Sequence, residues 1–420
     1  MIGAVLTELA PRVSHADLVR TTDETLSVAV DADGIEILED HADAIQVRAV
    51  EHGRLGWAAG STSELPAVVA AALRSAAIGE PTTLFPPAPA GLAAVATSSP
   101  AARSLAAGDL IDLARRLGDR LARRGWTVET WAERSIGLVE VGNTRGVLTS
   151  YEVTLAGIGA VVAASGGPIC RVHQARVGPP ETADLERLVD EVEARLTPPV
   201  LDEPTLPPSG RVWFGPRAVR SLLEPVLARL TGDRWLTGPA GWTLDDRLTL
   251  IDDPHAAGRP GSRPICDDGV VTRPVVLIER GAPGQGIVDL VAASRHRVPA
   301  TGHGWRRGFS AARTGFSNLI LADGDRPADR LGAALGDGLF VPEFRFGPAP
   351  NPATGIFRVE VPWAFRVEGG RVVGRIDGVV LAGDAFELLG RVTAIGADGE
   401  WIGAARMPSL VVDGVRFDLR

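Results

Sequence analysis

The sequence predicts an α+β protein, in which an N-terminal α+β domain with an antiparallel sheet and amphipathic helices precedes a mostly antiparallel β C-terminal domain. Three observations lead to this prediction. Apolar residues alternate along residues 18–60, as they do in half-buried strands. Several later segments carry apolar residues at helical spacing. After residue 230, short strand patterns separated by turn residues dominate.

The N-terminal part is predicted to begin with a short amphipathic helix and to continue as strands. The strand patterns are LSVAV (26–30), GIEILE (34–39) and AIQVRAV (44–50), which polar or glycine-bearing turns separate. The run from Ser61 to Glu64 has the spacing of a capping box and opens a helix through VVAAALRSAA. The proline-rich residues 81–91 predict a loop.

Three more helices follow from apolar spacing. The first places these residues on one face: Leu110, Leu113, Ala114, Leu117 and Leu121. The second covers residues 182–196, and the third runs from about Pro216 to Leu230. A hairpin is predicted around Gly369-Gly370. The predicted division is an N-terminal α+β domain (1–90), a central α+β segment (91–197), a proline-rich linker (198–210) and a β-rich C-terminal domain (211–420).

Composition excludes several classes of function. Arginines number 43 against 52 acidic residues, so the net charge is −9, which argues against nucleic acid as a partner. The absence of lysine excludes P-loop and Schiff-base lysine chemistry. The two cysteines cannot form a disulfide framework or a four-thiolate zinc site. Neither a signal peptide nor an apolar run of membrane-spanning length is evident, so we expect a cytoplasmic protein without a membrane span.

The familiar catalytic motifs are missing. None of the seven histidines forms HExxH, and His296 and His303 stand among arginines, where a solvated basic loop is a better interpretation than a metal site. The nucleophile elbow GxSxG is absent. The glycine-rich stretches lack the strand and helix context of a dinucleotide site.

Carboxylates cluster in IDDPH (251–255) and CDDG (266–269). Adjacent aspartates bind a cation or share a proton when they are desolvated, although they more often cap turns. A self-sufficient enzyme would draw first on these clusters and nearby histidines, and the candidates are Asp252, Asp253, His255, Asp267, Asp268 and His303.

Several stretches in the C-terminal half occur in a specific order. They are LTLIDDPHAAGRPGSRPICDDGVVTRPVVLIERG (248–281), FSNLILADGD (316–325), GDGLFVPEF (336–344), NPATGIFRVEVPWAFRVEGGRVV (351–373), LAGDAFELLGRVTAIGAD (381–398) and PSLVVDGV (408–415). Together with VGNTRGVLTSYEV and GRLGWAAGS in the N-terminal half, they resemble the TldD/TldE (PmbA) family of peptidase-related proteins. The acidic net charge gives little support to that family's older description as modulators of DNA gyrase.

The resemblance also locates a departure from the family's metal site. TldD-type members carry HExxxH and a cysteine near the C-terminus, which hold a metal while the glutamate activates water. Here the motif falls on Leu223, Glu224 and Ala228, so only the glutamate is kept, and residues 395–410 contain no cysteine. The resemblance therefore implies the TldE/PmbA-like branch, with no metal, cofactor or catalytic residue in this chain.

The function that the resemblance implies is that of a non-catalytic subunit. Its partner would be a TldD-like metallopeptidase subunit that supplies the zinc, and the complex would act on unfolded or extended peptides, including leader peptides. Two alternatives stay open: a self-sufficient hydrolytic or biosynthetic enzyme that uses the Asp/His clusters, and a homodimeric peptide-binding or structural protein.

Overall fold

The computed structural model describes residues 1–122, 125–164, 169–202, 206–238, 241–306, 308–345 and 354–419. Its α-helices are α1 (Ile2–Leu9), α2 (Leu65–Ile78), α3 (Pro100–Arg103), α4 (Ala107–Ala122), α5 (Thr182–Leu196), α6 (Pro216–Leu222), α7 (Glu224–Arg229), α8 (Gly232–Thr237), α9 (Leu290–His296), α10 (Ala328–Leu335) and α11 (Ala385–Leu389). No helix in these described ranges is both long enough and apolar enough to cross a bilayer.

The strands up to residue 300 are β1 (His15–Val30), β2 (Ile35–Glu51), β3 (Arg54–Gly60), β4 (Thr127–Asn143), β5 (Leu148–Ala163), β6 (Ile169–Arg176), β7 (Ser209–Phe214), β8 (Leu250–Asp252), β9 (Val275–Glu279) and β10 (Ala282–Pro283). The later strands are β11 (Gly304–Trp305), β12 (Arg313–Thr314), β13 (Leu319–Leu321), β14 (Gly338–Val341), β15 (Ile356–Glu360), β16 (Ala364–Glu368), β17 (Arg371–Ile376), β18 (Val379–Asp384), β19 (Val392–Ile395), β20 (Glu400–Ile402), β21 (Ala405–Met407) and β22 (Leu410–Leu419).

The chain divides into two compact units, each built from separated stretches of sequence. Unit 1 comprises Met1–Val192, Pro254–Pro274 and Ile287–Ser317. Unit 2 comprises Glu193–Asp253, Val275–Gly286 and Asn318–Arg420. The four-segment domain division predicted from the sequence stays a prediction.

Unit 1 contains a six-stranded antiparallel sheet, which we call the N-terminal sheet. Its strand order is β3-β2-β1-β4-β5-β6, and every neighbouring pair is antiparallel. This arrangement confirms the predicted antiparallel sheet. The predicted turn between GIEILE and AIQVRAV is wrong, because β2 runs without interruption through EDHAD (39–43). Those polar residues stay extended since β1 pairs with them along their whole length.

Helices cover one face of the N-terminal sheet. The predicted apolar face of α4 is confirmed, since all five of its predicted apolar residues are buried. At the other end of the sheet, α1 and α2 share a core with strands β1 and β2, and this core includes Ile2, Leu6, Leu18, Ile45 and Ala72. Apolar burial on this scale supplies most of the free energy that fixes strand register.

Unit 2 consists mainly of two sheets. The larger has the order β15-β18-β22-β7-β14-β16-β17, with β19 also beside β22, and it is antiparallel except where β14 joins β7. The smaller has the order β10-β9-β8-β13-β21-β20. The predicted hairpin is confirmed, since β16 and β17 meet at Gly369 and Gly370, whose φ angles are +52° and +80°. The predicted α+β class is confirmed in both units.

The helix predicted from Pro216 to Leu230 is interrupted in the structure. It ends as α6 at Leu222, and a separate helix, α7, starts at Glu224. Proline lacks the backbone N–H that an unbroken helix would donate four residues back, so Pro225 breaks the ladder at Ser221. The Ser221 side chain makes a separate hydrogen bond, in which its hydroxyl donates to the carbonyl of Phe344.

Candidate functional site

The three positions of the degenerate metal motif lie at the α6–α7 break. Leu223 is fully buried, Ala228 is partly buried, and the Glu224 side chain is 50% exposed. Arg220 Nη1 lies 3.9 Å from the Glu224 carboxylate, one helical turn away. Burial lowers the pKa of Arg220, and Glu224 opposes that shift.

These residues do not fit a zinc ion. Leu223 and Ala228 carry no lone pair, and a zinc site needs at least three nitrogen, sulfur or oxygen donors from the protein. Within the ranges that the structure describes, no group of three or more His, Cys, Asp or Glu side chains is arranged to hold a metal.

The six candidate residues from the acidic clusters and histidines belong to different units. Asp252 and Asp253 lie in unit 2, at the end of β8, and the other four lie in unit 1. The backbone of Asp253 is held by Asn318, which accepts from Asp253 N–H at 2.8 Å and donates its side-chain amide to the Asp253 carbonyl at 2.8 Å. This pairing continues the contact between β8 and β13.

The two candidate histidines each contact a threonine. His255 Nε2 lies 3.1 Å from Thr272 Oγ1, and that hydroxyl donates to the Arg263 carbonyl at 2.6 Å. His303 is fully buried, and its Nδ1 lies 2.9 Å from Thr301 Oγ1. Both imidazoles therefore have hydrogen bonds within loops of unit 1.

Asp267 and Asp268 are buried and accept hydrogen bonds from backbone N–H groups. Asp267 Oδ2 accepts from Arg306 N–H at 2.8 Å, and Asp268 Oδ2 accepts from Leu290 N–H at 2.8 Å. A Cβ atom at Gly304 would overlap the Asp268 carboxylate, which explains the glycine at that position. This geometry is typical of carboxylates that cap turns and helix ends.

Asp268 also belongs to a group of four buried charges that sequence reasoning missed. We call this group, Asp17, Arg48, Asp268 and Arg306, the buried ion cluster, and each side chain is at most 5% exposed. Arg48 Nε donates to both Asp17 oxygens, at 3.1 Å and 3.0 Å, and its Nη2 donates to Oδ2 at 2.9 Å. Arg48 Nη1 lies 3.0 Å from Asp268 Oδ1, and Arg306 Nη1 contacts Asp17 Oδ1.

Burial and charge oppose each other in this cluster. Burial alone would raise the pKa of Asp17, but the Arg306 and Arg48 guanidinium groups hold that pKa below its ordinary value. Burial raises the pKa of Asp268 despite the same two arginines. Burial also lowers the pKa of Arg306, which Asp17 counteracts. Two carboxylates and two guanidinium groups balance in charge, which makes their burial tolerable.

A sequence signal for the cluster exists. Arg48 interrupts the apolar run AIQVRAV, and Asp17 stands just before the apolar residues of β1. The strand register places Asp17 directly opposite Arg48. Opposite charges in two buried strands predict a cross-strand ion pair once the register between the strands is known.

Cys266 and Arg263 are two more buried groups near the cluster. Burial and the Asp268 carboxylate raise the pKa of Cys266 to about 12, so its thiol stays protonated near neutral pH. Arg263 is 1% exposed and stacks on the Trp305 ring at 3.6 Å from the ring centroid. Its guanidinium nitrogens have no hydrogen-bond partner among the residues that the structure describes. A guanidinium cation next to these loops disfavours a bound metal cation.

Comparison with known proteins identifies the family. A family model described as the PmbA/TldA metallopeptidase C-terminal domain matches residues 209–418, which is half of the chain. The chain belongs to the PmbA/TldD family. A metalloprotease TldD homolog from Haemophilus influenzae is 26% identical over 166 residues, which are 39% of this chain and 34% of that protein. The chain therefore aligns with about a third of that relative's length.

Other known proteins align along nearly the whole chain. A metalloprotease from Methanothermobacter thermautotrophicus is 24% identical over 94% of this chain and 91% of its own length. The crystal structure of TldE from Thermococcus kodakarensis superposes with a TM-score of 0.87 at 20% identity and covers 99% of both chains. At that identity the superposition shows a shared fold.

Proposed function

We propose that this chain is a TldE/PmbA-like, non-catalytic subunit of a TldD/TldE-type metallopeptidase complex in the cytoplasm. The complex would act on unfolded or extended peptides, leader peptides included, and a TldD-like partner subunit would supply the zinc. The observation that carries the proposal is the pair of aliphatic side chains, Leu223 and Ala228, at the two histidine positions of the family's metal motif. Neither side chain can ligate a metal.

Further observations support the proposal. The fold matches a protein named TldE along its whole length, and the Haemophilus relative is named a TldD homolog and a metalloprotease. Cys170 and Cys266 are free and buried, as expected in a reducing compartment. Edge strands such as β6 and β15 offer backbone groups to which an extended peptide can add as a further strand.

The first experiment compares the lone chain with a co-expressed pair. The chain is purified alone and together with a TldD-like protein from the same genome, and each sample is analysed for zinc by mass spectrometry and for cleavage of an unfolded casein substrate. We expect less than about 0.1 zinc per lone chain and no cleavage, whereas the pair co-purifies and its cleavage is lost with a chelator. Chelator-sensitive cleavage by the lone chain would refute the proposal.

A matched variant tests whether Glu224 retains a catalytic role. Because the Glu224 side chain is half exposed and the imidazoles that would flank it are missing, Glu224→Gln should leave cleavage by the complex within about twofold of the wild-type rate. The control is the corresponding change in the HExxxH glutamate of the partner, which should abolish cleavage. A loss of tenfold or more in Glu224→Gln would mean that this glutamate acts on the substrate.

A different result would favour the self-sufficient enzyme. In that case the lone chain would hydrolyse substrate without zinc, and Asp268→Asn or His303→Gln would stop the reaction while the protein remained folded. Stable self-association of the chain with no affinity for the TldD-like protein would favour the homodimeric alternative.

A further inference from the structure

Part of β2 has a neighbouring strand on one side only, as far as the described residues extend. β1 pairs with β2 along residues 35–50, whereas β3 pairs with β2 only from Ile45 onward. In the part of the chain that the structure describes, the outward N–H and C=O groups of residues 35–43 therefore have no strand beside them. We call residues 35–43 the β2 edge. An open edge of this length is a template for another strand.

The β2 edge exposes large apolar side chains. Ile35 is 42% exposed, Ile37 is 49% exposed and Leu38 is 60% exposed. Ile37 stands opposite Val28 of β1, which is only 1% exposed. Because opposite residues share a face, the apolar row under α4 continues onto the β2 edge and is uncovered there. An added strand would cover Ile35 and Ile37 on one face and Leu38 on the other.

The β2 edge and its turn are strongly acidic. Residues 31–43 contain no arginine and carry six carboxylates, namely Asp31, Asp33, Glu36, Glu39, Asp40 and Asp43. The residues of β1 opposite Glu36, Glu39 and Asp40 are uncharged: Ala29, Leu26 and Thr25. Among the described residues, Arg20 Nε lies 3.4 Å from Asp43 Oδ1. The surface therefore favours a cationic strand and repels a second copy of itself.

A cavity beside the turn between β1 and β2 would also accommodate a cationic side chain. It has a volume of about 640 Å³, and its wall includes Asp31 and Asp33 of the turn, Arg115 and Asp119 of α4, and Trp126. A long cationic side chain can place its aliphatic part against the Trp126 ring and its charge near the carboxylates.

We propose that the β2 edge receives an extended, cationic segment of the partner subunit, which adds as a further strand of the N-terminal sheet. This inference rests on the proposed function, because it names the contact through which the partner binds. Edge carboxylates often serve only to prevent aggregation. That role does not require three exposed large apolar side chains, which an added strand would bury.

The experiment uses the full chain and the co-expressed TldD-like protein. Glu36→Arg/Glu39→Arg/Asp40→Arg reverses three exposed charges of the β2 edge, and Ile37→Ser/Leu38→Ser removes apolar surface. The matched control reverses three exposed carboxylates elsewhere, Glu80→Arg/Glu186→Arg/Asp190→Arg. Affinity is measured by calorimetry at 50 and 300 mM NaCl, between which the Debye length falls by a factor of about 2.5. Hydrogen exchange follows the amides of residues 35–43.

We expect the edge charge variant to bind the partner at least tenfold more weakly and with less salt dependence, and the apolar variant to bind at least fivefold more weakly. The control should stay within twofold of wild type. Partner binding should slow exchange at residues 35–43, and circular dichroism should show that every variant is folded.

The other outcomes separate the two proposals. If the complex forms but residues 35–43 keep their fast exchange and the edge variants bind normally, the edge proposal is wrong and the proposed function stands. Protection of these amides by self-association, or by an unfolded substrate peptide alone, also overturns the edge proposal. If wild-type chain and partner form no complex, the proposed function fails and this inference fails with it.

Discussion

The buried ion cluster leads to a quantitative prediction for Asp17→Asn. The asparagine keeps the size of the side chain but removes the negative charge that faces Arg48 and Arg306. Asp268 would then be the one carboxylate left in the cluster to face two guanidinium groups that are at most 3% exposed, while Asp289 acts on Arg48 from outside the cluster. Removal of one member of a buried ion pair costs about 3–5 kcal/mol, because the remaining charge is left uncompensated. Asp17 contacts both arginines, so we expect about 4 kcal/mol.

The loss is measured by urea unfolding and by thermal melting. For a unit of this size, about 4 kcal/mol corresponds to a fall in Tm of about 10 °C. The control is Asp112→Asn on the exposed face of α4, which should change the free energy of unfolding by less than about 0.5 kcal/mol.

A second variant tests whether charge imbalance is the cause. Asp17→Asn/Arg48→Met removes one charge of each sign and leaves Arg306 with Asp268, whose charges interact. The double variant should therefore be more stable than Asp17→Asn by about 1 kcal/mol or more. If the double variant loses the sum of the two single losses, or if Asp17→Asn costs less than about 1 kcal/mol, the cluster does not act through its charges.

Three further predictions follow from the same geometry. The pKa of Asp17 in the folded state is lower than its ordinary value of 3.8. The ionised Asp17 therefore contributes fully to stability above pH 3.8, and this contribution is lost as pH falls through the folded-state pKa. Urea unfolding should show the stabilities of the wild type and Asp17→Asn converging below pH 3.8. Since Cys266 is buried and its pKa is raised to about 12, a thiol reagent at pH 8 should label it only after the protein unfolds. The Cys170→Ser variant leaves Cys266 as the one thiol, and rapid labelling of this variant while it is folded would contradict the prediction. Leu223→His/Ala228→His should not create a tight zinc site, because position 223 is fully buried and two imidazoles are fewer than the three protein donors that a zinc site needs. One zinc per chain after desalting would contradict this.

The periodicity of apolar residues predicted an element correctly where its packing partners favour the same structure. The apolar face of α4 follows from spacing alone, since a helix presents every third or fourth residue to the same side. The hairpin at Gly369-Gly370 follows from the positive φ angles that two glycines permit. In both cases the local signal and the packing agree.

Prediction failed where a neighbouring element overrides the local signal. EDHAD contains typical turn residues, yet β1 holds it extended as part of β2. The helix from Pro216 breaks before Pro225, and the sequence alone did not show whether that proline begins a turn or interrupts a helix. The buried ion cluster joins Asp17 to Arg306 across most of the chain, and no local pattern can report such a contact.

The acidic segment CDDG shows how a motif with catalytic appearance can serve packing. Asp267 and Asp268 each accept a backbone N–H from residues 287–317, and Asp268 also faces Arg48 of the N-terminal sheet. These contacts attach two loops of unit 1 to strands far away in sequence, and each uses an oxygen that a substrate or metal would otherwise need. A carboxylate that already accepts from a buried donor loses that hydrogen bond if it turns to a ligand, at a cost of about 1–3 kcal/mol. The hydrogen bonds that hold the loops would therefore have to break before either aspartate could turn to a ligand.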